Sequence, residues 1–168
     1  MAKLERNRYI VYIDASFGGE TPNWFKIGKN LTGFTVELNP DTSSEKNIWL
    51  ETYTTDNGYA PSASVDTYYA NPEDAIYGKL FEIAMDRLVG DACKTKIMEV
   101  VVEDDEAETH SAWTEDIIVK PTSTGGDTSG FAIPYSISFD GGREKGTVSY
   151  DAGGYMKGAP SFTPNTGA

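Results

Sequence analysis

The stretch of sequence that decides the fold reads Lys96-Ile97-Met98-Glu99-Val100-Val101-Val102-Glu103. Its side chains divide into two sets with a period of two residues, and this period is typical of a β-strand. The set that we expect to point into the core consists of Met98, Val100 and Val102. The set that we expect to point outward consists of Ile97, Glu99, Val101 and Glu103.

The same alternation recurs along the chain, so the sequence predicts a mainly β protein. The further strands are predicted at residues 32–38, 46–54, 113–120, 131–139 and 143–150. Between the last two lies Asp140-Gly141-Gly142, which is typical of a hairpin turn. The stretch 46–54 has apolar or aromatic side chains on both faces, as expected of a central strand.

Residues 71–90 break this pattern, because their apolar side chains recur every three or four residues, the spacing of one helix face. Asn71 suits the N-cap, Pro72 the first helical position and Gly90 the end. We therefore predict a β-sandwich or partial barrel with one flanking amphipathic α-helix and long assembly loops. The domain is predicted to span residues 1–150 with an N-terminal arm at 1–13, followed by a flexible C-terminal segment at 151–168.

Two long segments, 14–30 and 55–70, lack any periodicity and yet contain aromatic side chains. Structureless loops longer than ~12–15 residues are uncommon inside a compact domain. Aromatic side chains are enriched at protein contacts, so we predict that these loops touch other subunits, although they could also fold back onto their own domain. The candidate contact residues are Trp24, Phe25, Tyr59, Tyr68 and Tyr69.

The composition excludes several classes of protein. The 168 residues suit one domain, and 14 basic against 26 acidic side chains give a net charge of −12. This charge argues against a surface that wraps nucleic acid or an anionic membrane, and no apolar stretch approaches the ~20 residues that span a bilayer. The lone Cys93 excludes an intramolecular disulfide, and with one histidine a zinc site is unsupported.

The charges are unevenly distributed. Residues 1–30 contain five basic and three acidic side chains, whereas residues 99–116 contain eight acidic side chains and no Lys or Arg. The acidic run could be a solvated loop. Alternatively, its acidic edge could meet the basic arm of a neighbouring copy in a head-to-tail contact. The candidates for this edge are Asp104, Asp105 and Glu106.

No catalytic constellation is found. The single histidine, His110, lies in the acidic run, where we expect it at the surface. Residues 126–130 faintly resemble a serine-protease nucleophile loop, but a triad needs three groups that converge in space, and a turn explains these glycines better. We therefore predict a protein that is not an enzyme and that has no metal and no cofactor.

The order of several segments along the chain is similar to that of a known protein family. The succession of residues 24–29, 34–39, 48–53 and 57–62, followed by the helix up to Gly90, resembles the major tail tube proteins of tailed bacteriophages and of related phage-tail-like particles. The similarity is one of order and spacing and covers roughly residues 20–150. It implies a β-sandwich with a flanking helix, six copies of which close into a ring, and rings that stack into a tube through which DNA passes during ejection.

The resemblance also implies the surroundings of the protein. It implies a place in the virion tail after assembly in the cytoplasm of the host bacterium, with no membrane contact. Its partners would be further copies of itself, the tape measure, terminators and the baseplate or tip. By position, the parts that would bridge rings are 1–13, 55–70 and 151–168, with 14–30 as a further candidate, while the acidic run has no counterpart in the family pattern.

An acidic lumen would suit a DNA conduit, because DNA carries a negative charge per ~1.7 Å of its axis and a basic wall would bind it. Candidates for the lumen lining are Glu37, Glu99 and Glu103, which could equally face the outer solvent. DNA would pass without specific binding. A carbohydrate-binding β-sandwich module and a capsid decoration protein remain alternatives, since both can have this fold class.

Overall fold

A computed structural model describes residues 3–29 and 31–165. The strands are β1 (Tyr9–Asp14), β2 (Trp24–Lys26), β3 (Pro40–Lys46), β4 (Thr52–Tyr59), β5 (Ser62–Val65), β6 (Lys94–Val101), β7 (His110–Pro121), β8 (Gly125–Asp127), β9 (Gly130–Ala132), β10 (Tyr135–Tyr150) and β11 (Pro160–Pro164). The helices are α1 (Tyr77–Asp86) and the single turn α2 (Gly154–Lys157). The architecture is mainly β, with a strongly curled half-barrel sheet and one short helix, as predicted.

Seven strands form the main sheet, in the order β11-β10-β7-β6-β1-β2, with β5 also paired to β10. All of these pairs are antiparallel. Two small sheets stand apart from it, one made of β3 and β4 and the other of β8 and β9. The long strand β10 organises the sheet because it pairs with β7, β5 and β11.

The predicted hairpin turn at Asp140-Gly141-Gly142 is wrong. These residues lie within the continuous strand β10, where the pairing with β7 shifts register on either side of Gly141. Gly141 and Gly142 have φ angles of 92° and 69°, which glycine adopts without strain. A bulge of this kind bends a strand, so the two halves of β10 stay paired with one partner while the sheet curls.

Both faces of the sheet are covered, so the predicted division of residues 96–103 into inward and outward sets is wrong in part. Ile97 is fully buried in one core cluster with Ile13, Ile117 and Leu80, which brings α1 onto that face. The other face contains a second cluster: Ile10, Tyr12, Met98, Val100, Val102, Ala112 and Val148. Tyr155 and Phe162 from the C-terminal segment pack against this second cluster.

The helix is shorter than the predicted 71–90. The side-chain oxygen of Asn71 accepts a hydrogen bond from the Glu73 amide at 3.0 Å, so Asn71 shapes a turn ahead of the helix. Leu80 and Ile83 are the buried residues of α1, and Arg87 ends it in the left-handed conformation. The predicted helix face is therefore correct, whereas both predicted ends lie several residues too far out.

Parts of the predicted N-terminal arm and of the predicted C-terminal segment belong to the sheet. Residues 9–13 of the predicted N-terminal arm belong to β1, a buried strand between β6 and β2. In the predicted flexible segment 151–168, β11 pairs with residues 146–150 of β10. His110 is also buried rather than at the surface, because its ring lies between those of Tyr150 and Tyr155.

Two predicted strands have a different structure, and a third, at 131–139, is divided between β9 and β10. The stretch 32–38 contributes only an isolated bridge between Glu37 and Ser62. The stretch 46–54 is not a central strand, because residues 47–51 form the turn that connects β3 to β4. The apolar side chains of this turn project into solvent, since β3 and β4 pair only with each other.

Candidate assembly surfaces

The hairpin of β3 and β4, here called the projecting hairpin (residues 40–59), stands away from the core. All residues of β3 are exposed, and in β4 only Gly58 is partly covered. The 7 paired residues of β3 extend about 23 Å at ~3.3 Å per residue. Apart from Tyr53 and Tyr59, the side chains of the two strands are small or polar, so the hairpin has no continuous apolar face with which to pack on its own domain.

The tip of the hairpin is apolar and well ordered by hydrogen bonds. Ile48, Trp49 and Leu50 are 90%, 74% and 77% exposed. The side-chain oxygen of Asn47 accepts hydrogen bonds from the Trp49 and Glu51 amides at 2.9 and 3.0 Å. The Asn47 carbonyl accepts another from the Leu50 amide at 2.9 Å. The turn therefore presents three large apolar side chains to solvent in a fixed arrangement.

Leu50 has a φ angle of 61°, in the left-handed region. The Asn47 amide donates to the Glu51 carbonyl at 3.1 Å, so residues 48–50 form a three-residue loop with Leu50 at its last position. Glycine usually occupies that last position, because a β-carbon makes the left-handed conformation less favourable. A large apolar side chain is thus found where local folding favours glycine. Backbone strain of this kind is common at sites of function, so the tip is a candidate contact element.

A groove of about 640 Å³ lies on the body of the protein. Its apolar lining includes Tyr9, Phe25, Ile27, Leu31 and Phe34. One wall consists of residues 27–29 and 31–34, which follow the edge strand β2. The guanidinium of Arg6 fixes this wall, donating hydrogen bonds to the carbonyls of Tyr9 at 2.7 Å and Phe34 at 3.0 Å.

The groove has a basic rim formed by Arg6, Lys26 and Lys29. Among the described residues, none of the ion pairs involves any of these three cations. The only acidic lining residue is Asp74. The groove therefore combines an apolar floor with an excess of positive charge, in a protein whose net charge is −12.

A polar cluster connects four strands of the sheet, β1, β6, β7 and β10. Arg143 donates hydrogen bonds to Glu99 at 3.3 Å and Glu115 at 3.0 Å, and the Tyr9 hydroxyl donates to Glu99 at 3.0 Å. Burial alone would lower the pKa of Arg143, but its hydrogen bonds to the two glutamates raise it above the usual value. Burial raises the pKa of Tyr9, and the charge of Glu99 raises it further.

This cluster corrects the interpretation of Glu99, which is a candidate for the lumen lining. Glu99 is 9% exposed and shares Arg143 with Glu115, so its carboxylate is largely covered and ion-paired rather than facing solvent. Glu37 and Glu103 are exposed. For those two residues the proposed lumen role stays a prediction.

The acidic edge partly meets the basic arm within one chain. Arg8 and Asp105 form an ion pair at 3.2 Å, so this contact needs no neighbouring copy. The Asp104 carboxylate accepts a hydrogen bond from the Glu106 amide at 3.0 Å, which closes a local turn. Asp104, Asp105 and Glu106 are all exposed, in agreement with a solvated loop.

The five aromatic contact candidates lie in different places. Tyr68 is a core residue, 8% exposed, whose hydroxyl donates to Asp74 at 3.0 Å. Trp24, Phe25 and Tyr69 are half-buried, and Phe25 lines the groove. Tyr59 is 65% exposed at the base of the projecting hairpin. Phe25, Tyr68 and Tyr69 line one small cavity, but the structure does not bring all five residues together into one surface.

The exposed apolar tip is not among the predicted contact residues, although the sequence contains a signal for it. Residues 41–46 and 52–57 are almost entirely polar on both faces, so neither stretch can cover a core. Ile48-Trp49-Leu50 directly follows the turn-forming Asn47 between these stretches. Three adjacent large apolar residues at the tip of a polar hairpin indicate a contact site, because no part of the hairpin can bury them.

The described ranges contain no group of three or more His, Cys, Asp or Glu side chains arranged to hold a metal ion. Likewise, none of the helices found in residues 3–29 and 31–165 has the length and apolar character needed to cross a membrane.

Comparison with known proteins gives a likeness in fold. No protein-family model and no curated protein matches the sequence. The fold is similar to that of the sheath/tube terminator of an extracellular contractile injection system, PVC, solved by cryo-EM in its extended state. The TM-score is 0.50 and the sequence identity is 16%, and the similarity covers 83% of this chain and 94% of that chain. The tube-terminating cap of the anti-feeding prophage gives a TM-score of 0.48 at 18% identity, over 83% of this chain and 87% of the cap.

Proposed function

We propose that this protein is a ring-forming structural subunit of the tube of a phage-tail-like particle. In this proposal six copies close into a ring, and the rings stack into a conduit for DNA. The observation that carries the proposal is the projecting hairpin, which ends in the exposed side chains of Ile48, Trp49 and Leu50.

The hairpin has the properties of an assembly element. It contributes no strand to the main sheet, so the fold of the body does not explain its presence. Tryptophan is among the residues that most often dominate the binding energy of protein interfaces. Burying one large apolar side chain contributes about 1.5–3 kcal/mol, so three such side chains at one tip can supply much of a subunit contact.

The charge suits a conduit. The net charge of −12 disfavours tight binding of DNA. Tight binding would hold the DNA inside the tube and prevent its passage. The exposed carboxylates of Glu37 and Glu103 remain the candidates for the lumen lining. The partners in this proposal are further copies of the chain and other tail proteins, such as tape measure, terminator and baseplate proteins, in a virion tail assembled in the bacterial cytoplasm.

A terminator that closes the end of the tube is the second candidate. The likeness in fold to a protein described as a sheath/tube terminator favours it, because that likeness covers 94% of the other chain. A terminator would form one ring and stop, whereas a tube subunit would continue to stack. Both candidates are structural and neither requires an active site.

Electron microscopy and sedimentation velocity of the purified protein at increasing concentration test the proposal. We expect six-fold rings, with stacked tubes for a tube subunit and single rings for a terminator. The matched variant replaces residues 43–55 by Asn-Gly, a two-residue hairpin turn that retains the pairing of Thr42 with Asp56. This variant should keep the circular dichroism spectrum of a folded body and remain monomeric.

Two results would overturn the proposal. One is a wild-type protein that remains a monomer at millimolar concentration. The other is a shortened variant that assembles as well as the wild type. A glycan array and a capsid-binding assay cover the remaining alternatives, since a carbohydrate-binding module or a decoration protein would bind its ligand as a monomer.

A further inference from the structure

We infer that the groove between β1, β2 and the wall formed by residues 27–29 and 31–34 is a docking site, and that its occupant is the apolar hairpin tip of a second copy of this chain. This inference rests on the proposed function and adds the surface that receives the hairpin. Its elements are the tip residues Ile48, Trp49 and Leu50 on one copy and the groove on the other.

The two surfaces match in size. A volume of about 640 Å³ lies within the ~300–1,000 Å³ of sites that enclose a drug-sized molecule, so the groove has room for a tryptophan and a leucine side chain. Its apolar lining includes Phe25, Ile27 and Phe34, which can cover apolar side chains. In this structure the tip is largely exposed, so it does not occupy the groove of its own chain.

The two surfaces also match in charge. Residues 40–59 contain four carboxylates and one lysine, whereas the groove lining has three cations and one carboxylate. The carboxylates nearest the tip are Glu45 and Glu51, and the rim includes Lys26 and Lys29. Such complementarity raises association rates and selects the orientation of partners. A second copy of the chain is therefore favoured over a purely apolar ligand.

The geometry predicts the kind of assembly. The tip and the groove are different patches on one chain, so their contact is heterologous and leaves one free tip and one free groove at every step. Such a contact continues until the rotation closes a ring, or continues into a filament. The inference thus explains how a single chain can assemble without another protein.

Leu50 provides the sharpest test. Replacing Leu50 by glycine removes the side chain but suits the left-handed backbone, so the hairpin should keep its shape. We expect the dissociation constant for assembly to rise about 10- to 100-fold, the factor that corresponds to exposing one leucine. The matched control is Ser43→Gly on the exposed stem, which should assemble like the wild type.

Cysteine cross-linking tests the location. Ile48→Cys on one protein and Lys29→Cys on another are mixed and oxidised; the native Cys93 is fully buried and does not compete. We expect a disulfide-linked heterodimer. Val89→Cys, which is 74% exposed and does not line the groove, is the control and should not link to Ile48→Cys.

Charge reversal tests the rim. Lys26→Glu with Lys29→Glu should weaken assembly, and so should Glu45→Lys with Glu51→Lys. Combining all four substitutions in one chain should restore assembly to within about threefold of the wild type, because each copy then offers complementary surfaces again. Weakening that is not relieved by the combination would contradict the docking geometry.

The failures can be told apart. If the wild type forms rings but Leu50→Gly assembles normally and the 48–29 cross-link is absent, the groove is not the docking site and the proposed function stands. If the tip links instead to the Val89→Cys control, the tip docks elsewhere and the inference is again wrong. If the wild type does not self-associate at all, both the inference and the proposed function fail.

Discussion

The aromatic ring of Phe162 packs against the backbone of Gly146, so closely that a β-carbon at position 146 would lie 2.6 Å from the ring atom Cζ. Gly146 lies in β10 and Phe162 in β11, and the two strands are paired antiparallel. The ring also packs against the second core cluster. Gly146 thus allows β11 to cover the second core cluster. Because β11 pairs with β10, the C-terminal strand belongs to the sheet although it lies beyond residue 150.

Gly146→Ala should displace β11, because the added methyl group overlaps both the backbone carbonyl oxygen of Thr163 and the Phe162 ring. We expect a loss of about 1–3 kcal/mol in the free energy of unfolding, the usual range for overpacking. Urea denaturation measures the loss, and hydrogen exchange should show faster exchange at residues 161–163. Ser149→Ala, an exposed position on the same strand, is the control. Unchanged exchange in β11 would contradict the prediction.

Arg143→Ala should destabilise the protein because it leaves two carboxylates without their cation. The Glu99 and Glu115 side chains are 12% and 8% exposed. Removing one partner of a buried ion pair costs ~3–5 kcal/mol, and since Arg143 is itself 44% exposed we expect about 1–3 kcal/mol. Chemical denaturation provides the measurement.

Lys145→Ala is the matched control for Arg143→Ala. The Lys145 ammonium lies 5.8 Å from the centre of the Trp113 ring, and the Arg143 guanidinium lies at a similar distance, 5.9 Å. Unlike Arg143, Lys145 forms no ion pair among the residues that the structure describes. Equal losses for the two variants would mean that the ring contact, and not the carboxylates, explains the effect of Arg143.

Arg8→Ala should change stability by less than about 1 kcal/mol, since ion pairs near the surface contribute little. The partner Asp105 is 52% exposed. Asp105→Ala should have a smaller effect than Arg8→Ala, because the Arg8 guanidinium also lies 5.5 Å from the centre of the Tyr155 ring. Thermal unfolding at low and high salt measures both. If either variant prevents ring formation, the acidic edge also serves in assembly, contrary to its interpretation as a solvated loop.

Stability should fall steeply above pH 10. Burial raises the pKa of Tyr9, Tyr12, Tyr68 and Tyr135 well above the usual value. In the unfolded chain these tyrosines lose their protons near pH 10, whereas in the folded protein they keep them. The unfolded state therefore binds fewer protons above this pH, and the stabilisation that is fully present below pH 10 is lost as the pH rises.

Each such tyrosine contributes a slope of at most about 1.4 kcal/mol per pH unit. Urea unfolding at pH 8, 10 and 11 measures the total slope. Tyr12→Phe should make the slope shallower, because it removes one of these buried tyrosines. A midpoint that stays constant from pH 8 to pH 11 would contradict this account.

Local pattern was sufficient for much of the fold. The alternation in residues 96–103 and 113–120 predicted two strands, which the structure has as β6 (Lys94–Val101) and within β7 (His110–Pro121), and the helical spacing predicted the buried face of α1. These features depend on which side chains lie on one face of an element, and the sequence contains that information directly.

Assignment of a face to core, solvent or lumen required the tertiary structure. Glu99 follows the period of the strand, yet its surroundings come from Tyr9, Glu115 and Arg143, which lie on other strands. Similarly, whether Asp140-Gly141-Gly142 forms a turn or a bulge depends on the strand beside it, since both conformations use glycine at positive φ.

The sequence by itself therefore determined the mainly β class, the amphipathic helix and the acidic surface, because periodicity and charge are properties of the chain. Only the tertiary structure decided that Tyr68 lies in the core, that the C-terminal strand joins the sheet, and that Ile48, Trp49 and Leu50 stand exposed. Burial depends on which distant segments pack together, and that pairing is a property of the folded chain as a whole.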